Sequence, residues 1–124
     1  MNDQIVPTGL MVMKPLWQNL TDNAMTVQFM HRCTAYLLLA FALFHAVQLW
    51  RQVPNTNHAR RGMLLFGLVF VQALVGILTL LLQVPMFWAL VHQFGALVVL
   101  AVAVAHWRAL VPRLQDRASA GTSV

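Results

Sequence analysis

The sequence predicts an all-α integral membrane protein with three transmembrane helices. Of its 124 residues, 60% are hydrophobic and only 9% are charged, whereas a soluble domain carries about 25% charged residues. Three apolar runs follow one another along the chain, and each is longer than the roughly 20 residues that cross a bilayer as a helix. So few polar side chains cannot cover a water-facing surface, and we therefore expect the chain to lie in lipid.

Short polar segments separate the three apolar runs. We expect an outer-face segment over 1–26, transmembrane helices over 27–50, 62–84 and 86–110, a loop over 51–61 and a tail over 111–124. The loop, RQVPNTNHARR, contains a turn-forming Pro-Asn pair. Only Gln83-Val84-Pro85 separates the apolar part of the second helix from the third, which predicts a tight hairpin. Pro112 is expected to end the third helix.

The basic residues predict the orientation in the membrane. They cluster on the face that holds the loop and the C-terminus: Arg51, Arg60, Arg61, Arg108, Arg113 and Arg117. The positive-inside rule places this face in the cytoplasm and the N-terminus outside, on the periplasmic face of a bacterial inner membrane. The net charge of +5 lies at helix ends rather than on one patch, so no nucleic-acid partner is expected.

An outside N-terminus without a preceding helix is unusual. We therefore expect an upstream helix and interpret the chain as the later part of a longer protein. A reverse signal anchor is the alternative.

Two histidines are predicted to lie at matching depth on different helices. The first and third helices both run from outside to inside, and His31 and His92 lie about five to six residues into them, roughly 7–10 Å below the outer end. Two imidazoles at equal depth are what a bis-histidyl heme needs. Coordination also gives a partner to ring nitrogens that lipid would leave without one. The sequence thus predicts a heme between His31 and His92.

Polar neighbours of these histidines have two readings each. Arg32, next to His31, can pair with a heme propionate or extend to lipid headgroups. Gln28, one turn before His31, and Gln93, beside His92, can orient the ligands or form interhelical hydrogen bonds.

The second helix is expected to supply packing rather than chemistry. Its small residues allow close helix approach, and two polar residues can hydrogen-bond across the interface. The small residues are Gly62, Gly67, Ala73 and Gly76, and the polar ones are Gln72 and Thr79.

A second histidine pair lies deeper in the predicted spans. His45 and His106 each follow the first pair by 14 residues on the same helix, which places them on the same face about 21 Å further along. A second, inner heme between them is geometrically possible. The simpler reading is that both are interfacial histidines at the cytoplasmic end.

Three segments resemble heme A synthases of the proteobacterial and mitochondrial branch, in family order and over nearly the whole chain. They are QIVPTGLMVMKPLWQNL, NAMTVQFMHRCTAYLL and LVGILTLLLQVPMFWALVHQFGAL. The resemblance implies an eight-helix oxidoreductase of two four-helix bundles, which converts a methyl group of heme O to the formyl group of heme A by stepwise hydroxylation and loss of water. It maps the C-terminal ligand pair onto His31 and His92, with heme b as the cofactor.

The chain departs from the family pattern in several places. The Ala-Gly-x-x-Ala-Gly helix, the Asn-Thr-Trp-Pro stretch and the whole N-terminal half have no counterpart here, and Met30 replaces the usual Asp or Asn before the His-Arg pair. The resemblance thus implies the last three helices of eight, an incomplete four-helix heme-binding bundle. Its expected partners are lipid, heme and the missing half or another membrane subunit.

A heme with two histidine ligands has no open iron site, so electron transfer is its expected role. We expect no catalytic residue in this chain and no conversion of heme O by the chain alone. Two alternatives stay open. One is a small b-type cytochrome with one or two hemes, and the other is a truncated membrane fragment without function.

Overall fold

Three long helices make up most of the protein. The structure is a computed structural model that describes residues 6–120, with side chains described for residues 6–111. A short 3-10 helix, Leu16–Leu20, precedes α1 (Ala24–Gln52), α2 (Asn57–Leu81) and α3 (Met86–Ala120). Over residues 6–120 there are no strands. The predicted all-α fold with three membrane-length helices is therefore confirmed.

All three helices are long and apolar enough to cross a bilayer. The candidate spans are Ala24–Gln52, Asn57–Leu81 and Met86–Val111, with mean hydropathies of 1.6, 2.6 and 2.1. Large apolar side chains such as Phe44 and Leu97 are 60% and 61% exposed, whereas the buried apolar residues are small ones such as Ala46 and Ala59. Such an apolar exterior is stable in lipid rather than in water, so the chain is an integral membrane protein.

The chain divides into two compact units on either side of the Leu38–Leu39 boundary, which falls within α1. In the first unit, the residues before α1 are held by a network around Asn19, whose side chain is fully buried. The Asn19 amide donates to the main-chain oxygens of Met13 and Leu16 and accepts from the Met13 N–H, each at 2.9 Å. The Asn23 amide donates to Asn19 Oδ1 at 3.1 Å.

Asn23 also explains why α1 begins earlier than the predicted residue 27. Its Oδ1 accepts from the main-chain N–H groups of Met25 at 3.1 Å and Thr26 at 3.3 Å. Both are first-turn donors with no partner inside the helix, and an Asn cap satisfies them. The segment before α1 is thus joined to the helix by a side-chain cap.

In the second unit, the start of α2 packs against the end of α1. Thr56 caps α2 by accepting from the Ala59 N–H at 3.3 Å, so the helix begins at Asn57, inside the predicted polar loop. A Cβ added at Gly62 would lie 2.8 Å from Leu49 Cδ1. Glycine at this position gives Leu49 room against α2, in agreement with the close packing predicted for the small residues of α2.

A tight turn joins α2 to α3. Gln83 and Val84 have positive φ angles of 63° and 58°. The Gln83 N–H donates to the Leu80 oxygen and the Val84 N–H to the Thr79 oxygen, which is the Schellman arrangement that ends many helices. Thr79 Oγ1 also donates to the main-chain oxygen of Trp88 at 3.3 Å. α2 and α3 therefore form a closed helical hairpin.

α3 is longer than predicted. The helix runs past Pro112 to Ala120, where the sequence predicted a tail from residue 111. Proline removes one main-chain donor, but a helix can continue through it when other contacts or water satisfy the freed carbonyl. The apolar span within α3 ends at Val111, one residue beyond the predicted end. Residues 121–124 of the predicted tail lie outside the described residues.

Candidate functional site

His92 lies between α2 and α3, where residues of α2 limit the orientation of its ring. It lies in the second turn of α3 and is half-buried. Across the hairpin, Gln72 Nε2 lies 3.1 Å from His92 Nδ1 and 2.5 Å from the main-chain oxygen of His92. One amide thus binds both the ring and the backbone of the same residue, which fixes the direction in which the imidazole points.

Two glycines make room for this pair. A Cβ added at Gly76 would lie 2.8 Å from His92 Cε1, 3.3 Å from Nδ1 and 3.4 Å from Nε2. A Cβ added at Gly95 would overlap Gln72 Oε1. Gly67, by contrast, would meet nothing within 4 Å, so its predicted role in close helix approach is wrong within this chain. Gly76 and Gly95 are therefore the glycines that shape the surroundings of His92.

His31 and Arg32 lie on α1 in the first compact unit, whereas His92 belongs to the second. His31 is exposed and Arg32 is half-buried. One turn along the same helix, Thr34 Oγ1 donates to the main-chain oxygen of Met30 at 2.9 Å. Ligation of one heme by His31 and His92 together stays a prediction, as does the pairing of Arg32 with a propionate.

The inner histidines, His45 and His106, are in direct contact. Their Nε2 atoms are 2.9 Å apart, and their ring planes are 80° from parallel with centroids 5.2 Å apart. His106 is only 4% exposed, and among the described residues its Nδ1 has no hydrogen-bond partner. The ring of Phe41 stacks on His45, with centroids 6.4 Å apart. As it stands, this pair is a hydrogen bond between two helices.

The 2.9 Å distance between the two Nε2 atoms is shorter than the distance at which two histidines bind one metal ion. Two metal–nitrogen bonds of about 2 Å on opposite sides of one ion place the nitrogens about 4 Å apart. A heme between His45 and His106 therefore requires their Nε2 atoms to separate by roughly 1 Å. Among the residues whose side chains are described, no three His, Cys, Asp or Glu residues converge on a metal-ion site.

The sequence did not predict that Gln72 is the partner of His92. The two candidates for orienting ligands, Gln28 and Gln93, are both exposed. Gln72 was assigned only to helix packing because it is 20 residues from His92 along the chain. A signal was nevertheless present, since Gln72 and Gly95 each lie 11 residues from the turn at Gln83-Val84. In an antiparallel helical hairpin, residues equidistant from the turn lie at the same height, and those on the facing sides of the two helices meet.

The fold defines a helical membrane protein whose three membrane-length helices carry histidines. In sequence, residues 1–104 match the family model described as cytochrome oxidase assembly protein, COX15-CtaA. The chain is 59% identical over 111 residues to the heme A synthases of Sinorhizobium medicae (strain WSM419) and Rhizobium meliloti (strain 1021), and 55% identical over 109 residues to that of Brucella ovis. No solved structure matches the chain.

The chain therefore belongs to the heme A synthase family, and the resemblance found in its sequence is confirmed. The matched segments cover 88% to 90% of this chain but only 30% of each of these relatives. It corresponds to a portion of the proteins that it resembles.

Proposed function

We propose that the chain is the C-terminal heme-binding part of a heme A synthase-like oxidoreductase, which oxidises a methyl group of heme O to the formyl group of heme A. His31 and His92 are the axial ligands of a heme b, and Arg32 pairs with a heme propionate. The protein lies in a bacterial inner membrane, with its N-terminus in the periplasm and its C-terminus in the cytoplasm.

The observation that carries this proposal is the fixed position of His92. A metal-ligating histidine usually has its second ring nitrogen bound by a neighbouring group, which orients the ring. Gln72 supplies that group at 3.1 Å, and Gly76 leaves just enough space for the imidazole. Membership of the heme A synthase family supports the same role.

The residues of this chain hold and orient the group rather than transform the substrate. When bound, a heme with two histidine ligands supplies electron transfer. The sequence contains no Asp or Glu between Ala24 and Val111. We therefore expect a carboxylate that moves protons within the membrane-spanning part to come from another part of the longer enzyme. Alone, this chain is expected not to convert heme O.

Heme binding by the purified chain tests the proposal. The chain is expressed with excess protoheme, purified in detergent, and its bound heme is counted from the Soret absorbance. We expect one heme per chain, which is lost in His31→Ala and in His92→Ala. His58→Ala is the matched control and should retain it, because His58 lies at the other end of α2 from Gly76. Absence of a Soret band from the wild-type chain would favour the fragment without function.

A second candidate, a small b-type cytochrome with an inner heme, is favoured by the contact of His45 with His106. Their Nε2 atoms already face each other across two helices. This candidate expects two hemes per chain, and the inner one is lost in His45→Ala while the outer one remains. One heme per chain that survives His45→Ala excludes it.

A further inference from the structure

The segment before α1, residues 6–23, has polar side chains inside and large apolar side chains outside. We call it the pre-helix segment. Asn19 is fully buried and Asn23 is buried, whereas Leu16 and Trp17 are both 63% exposed. A segment that faces water usually shows the reverse, because Asn is mostly exposed and Leu mostly buried in soluble proteins. The polarity of the pre-helix segment is therefore that of a structure in contact with lipid.

The exposed apolar side chains lie on and next to the short 3-10 helix, Leu16–Leu20. Trp17 and Leu20 are three residues apart in this helix, so their side chains lie on the same face. Both are more than half exposed, as are Val12 just before the helix and Leu16 at its start. The pre-helix segment thus presents a tryptophan and several aliphatic side chains that the described chain leaves largely uncovered.

The buried amides bind the main chain of the same segment. Asn19 donates to the main-chain oxygens of Met13 and Leu16, and Asn23 donates to that of Gly9 at 3.0 Å. In water these carbonyls can bind solvent instead. At a membrane surface, where water is scarcer, a main-chain oxygen without a partner is costly. The inward-facing amides therefore suit a segment that lies in the lipid interface.

The pre-helix segment is also held close to the end of a membrane-length helix. It continues without a break into the span Ala24–Gln52. The Met11 N–H donates to Thr26 Oγ1 at 3.4 Å, which fastens the segment to the first turn of α1. Tryptophan is enriched at this level of a bilayer. Lys14 is exposed, and a lysine there can direct its charge to the headgroups while its stem contacts lipid.

We propose that the pre-helix segment is an interfacial anchor, which inserts Leu16, Trp17 and Leu20 into the boundary between lipid headgroups and acyl chains. Apolar faces of such elements lie about 5–10 Å deep in this boundary. The partner is a lipid surface, and its effect is to fix the depth of α1 in the bilayer. The inference is independent of the proposed function, because it uses no residue of the proposed heme site.

The fluorescence of Trp17 tests the anchor in the heme-free chain. Replacement of Trp50, Trp88 and Trp107 by Phe leaves Trp17 as the only tryptophan. In lipid nanodiscs, we expect strong quenching by lipids brominated near the upper end of their acyl chains and weak quenching by acrylamide in the water phase. Strong quenching by acrylamide would refute the anchor. Protection from both quenchers would refute it as well, because the face would then be covered by protein.

Spin labels test the same point in a chain that keeps all four tryptophans. In a Cys33→Ser background, a label is attached at Leu20→Cys or, as the matched control, at Asp22→Cys, which replaces an exposed charged side chain two residues away. Power saturation compares collisions with oxygen, which concentrates in lipid, and with a water-soluble nickel chelate. We expect the label at Leu20 to favour oxygen and the label at Asp22 to favour nickel. Equal preference at the two positions would contradict the proposal.

A last variant tests the contribution of the tryptophan. Trp17→Ser removes the largest apolar side chain of the exposed face, so the label at Leu20 should become more accessible to nickel. Thr21→Ser, which keeps the hydroxyl of an exposed neighbour, should leave the label unchanged. If Trp17→Ser and Thr21→Ser give the same accessibility, Trp17 does not anchor the segment and the proposal is wrong.

Discussion

Replacement of Gly76 by alanine adds one methyl group next to His92 and so tests how tightly the ring is held. The new Cβ would lie 2.8 Å from His92 Cε1, so the ring must retreat by about 0.6 Å to reach an ordinary contact of about 3.4 Å. That movement stretches the 3.1 Å contact between Nδ1 and Gln72 beyond hydrogen-bond range. Overpacking costs about 1–3 kcal/mol and the lost hydrogen bond about 0.5–1.5 kcal/mol. Alanine returns about 0.5–1 kcal/mol in helix propensity, so we expect a net loss of about 0.5–4 kcal/mol.

The assay combines reversible unfolding in mixed micelles with a protoheme titration. Gly76→Ala should unfold more easily and bind heme about 10- to 100-fold more weakly, because the ring no longer points in its original direction. Gly67→Ala is the matched control. It adds the same methyl group to the same helix, with nothing within 4 Å, and should be neutral or slightly stabilising. If Gly76→Ala behaves like Gly67→Ala in both measurements, the contacts with Gly76 and Gln72 do not fix the position of the His92 ring.

Two further predictions concern other parts of the chain. In a double-mutant cycle, His45→Phe and His106→Phe should show a coupling free energy of unfolding of about 0.6–1.7 kcal/mol, the range of interhelical hydrogen bonds in membranes. Additive effects of the two substitutions would show that the 2.9 Å contact between the rings does not stabilise the fold. Asn19→Ala should destabilise the residues before α1 by about 1–3 kcal/mol, because it removes the partners of part-buried main-chain groups. Faster hydrogen exchange at Met13 measures this loss. The exposed Thr21→Ala is its control, and equal exchange rates in the two variants would contradict the prediction.

The fold could be predicted because hydrophobic length alone decides it. Three apolar runs of sufficient length leave few alternatives to three membrane helices, and the structure has them. The helix ends were predicted less well, because caps and turns depend on individual side chains. Asn23 and Thr56 start α1 and α2 in segments whose polarity indicated loops. α3 continues past Pro112, because a single proline weakens a helix without always ending it.

The site was predictable only in part. Residue type and depth indicate His92, because an imidazole in lipid needs a partner. The identity of that partner depends on how the α2–α3 hairpin brings residues together. His92 lies opposite Gly76, and Gln72 lies opposite Gly95, with each pair almost symmetrical about the turn. Proximity in sequence favoured Gln93, the immediate neighbour of His92, but the Gln93 side chain is exposed. For His45 and His106 the sequence offered either a second heme or two interfacial histidines, but not a direct hydrogen bond.

The turn at Gln83-Val84 determines which residues of α2 and α3 lie opposite each other, including Gln72 and His92. One residue inserted into α3 between this turn and His92 would rotate the part of the helix that carries His92 by about 100° relative to α2. The imidazole would then swing away from its glycine, and the glutamine amide would meet a different side chain. Val84 has a φ of 58°, a conformation that is costly for a β-branched residue. The positive φ of Val84 is part of the turn that aligns α2 with α3. Changes in the length of this turn should therefore impair heme retention as strongly as loss of a ligand.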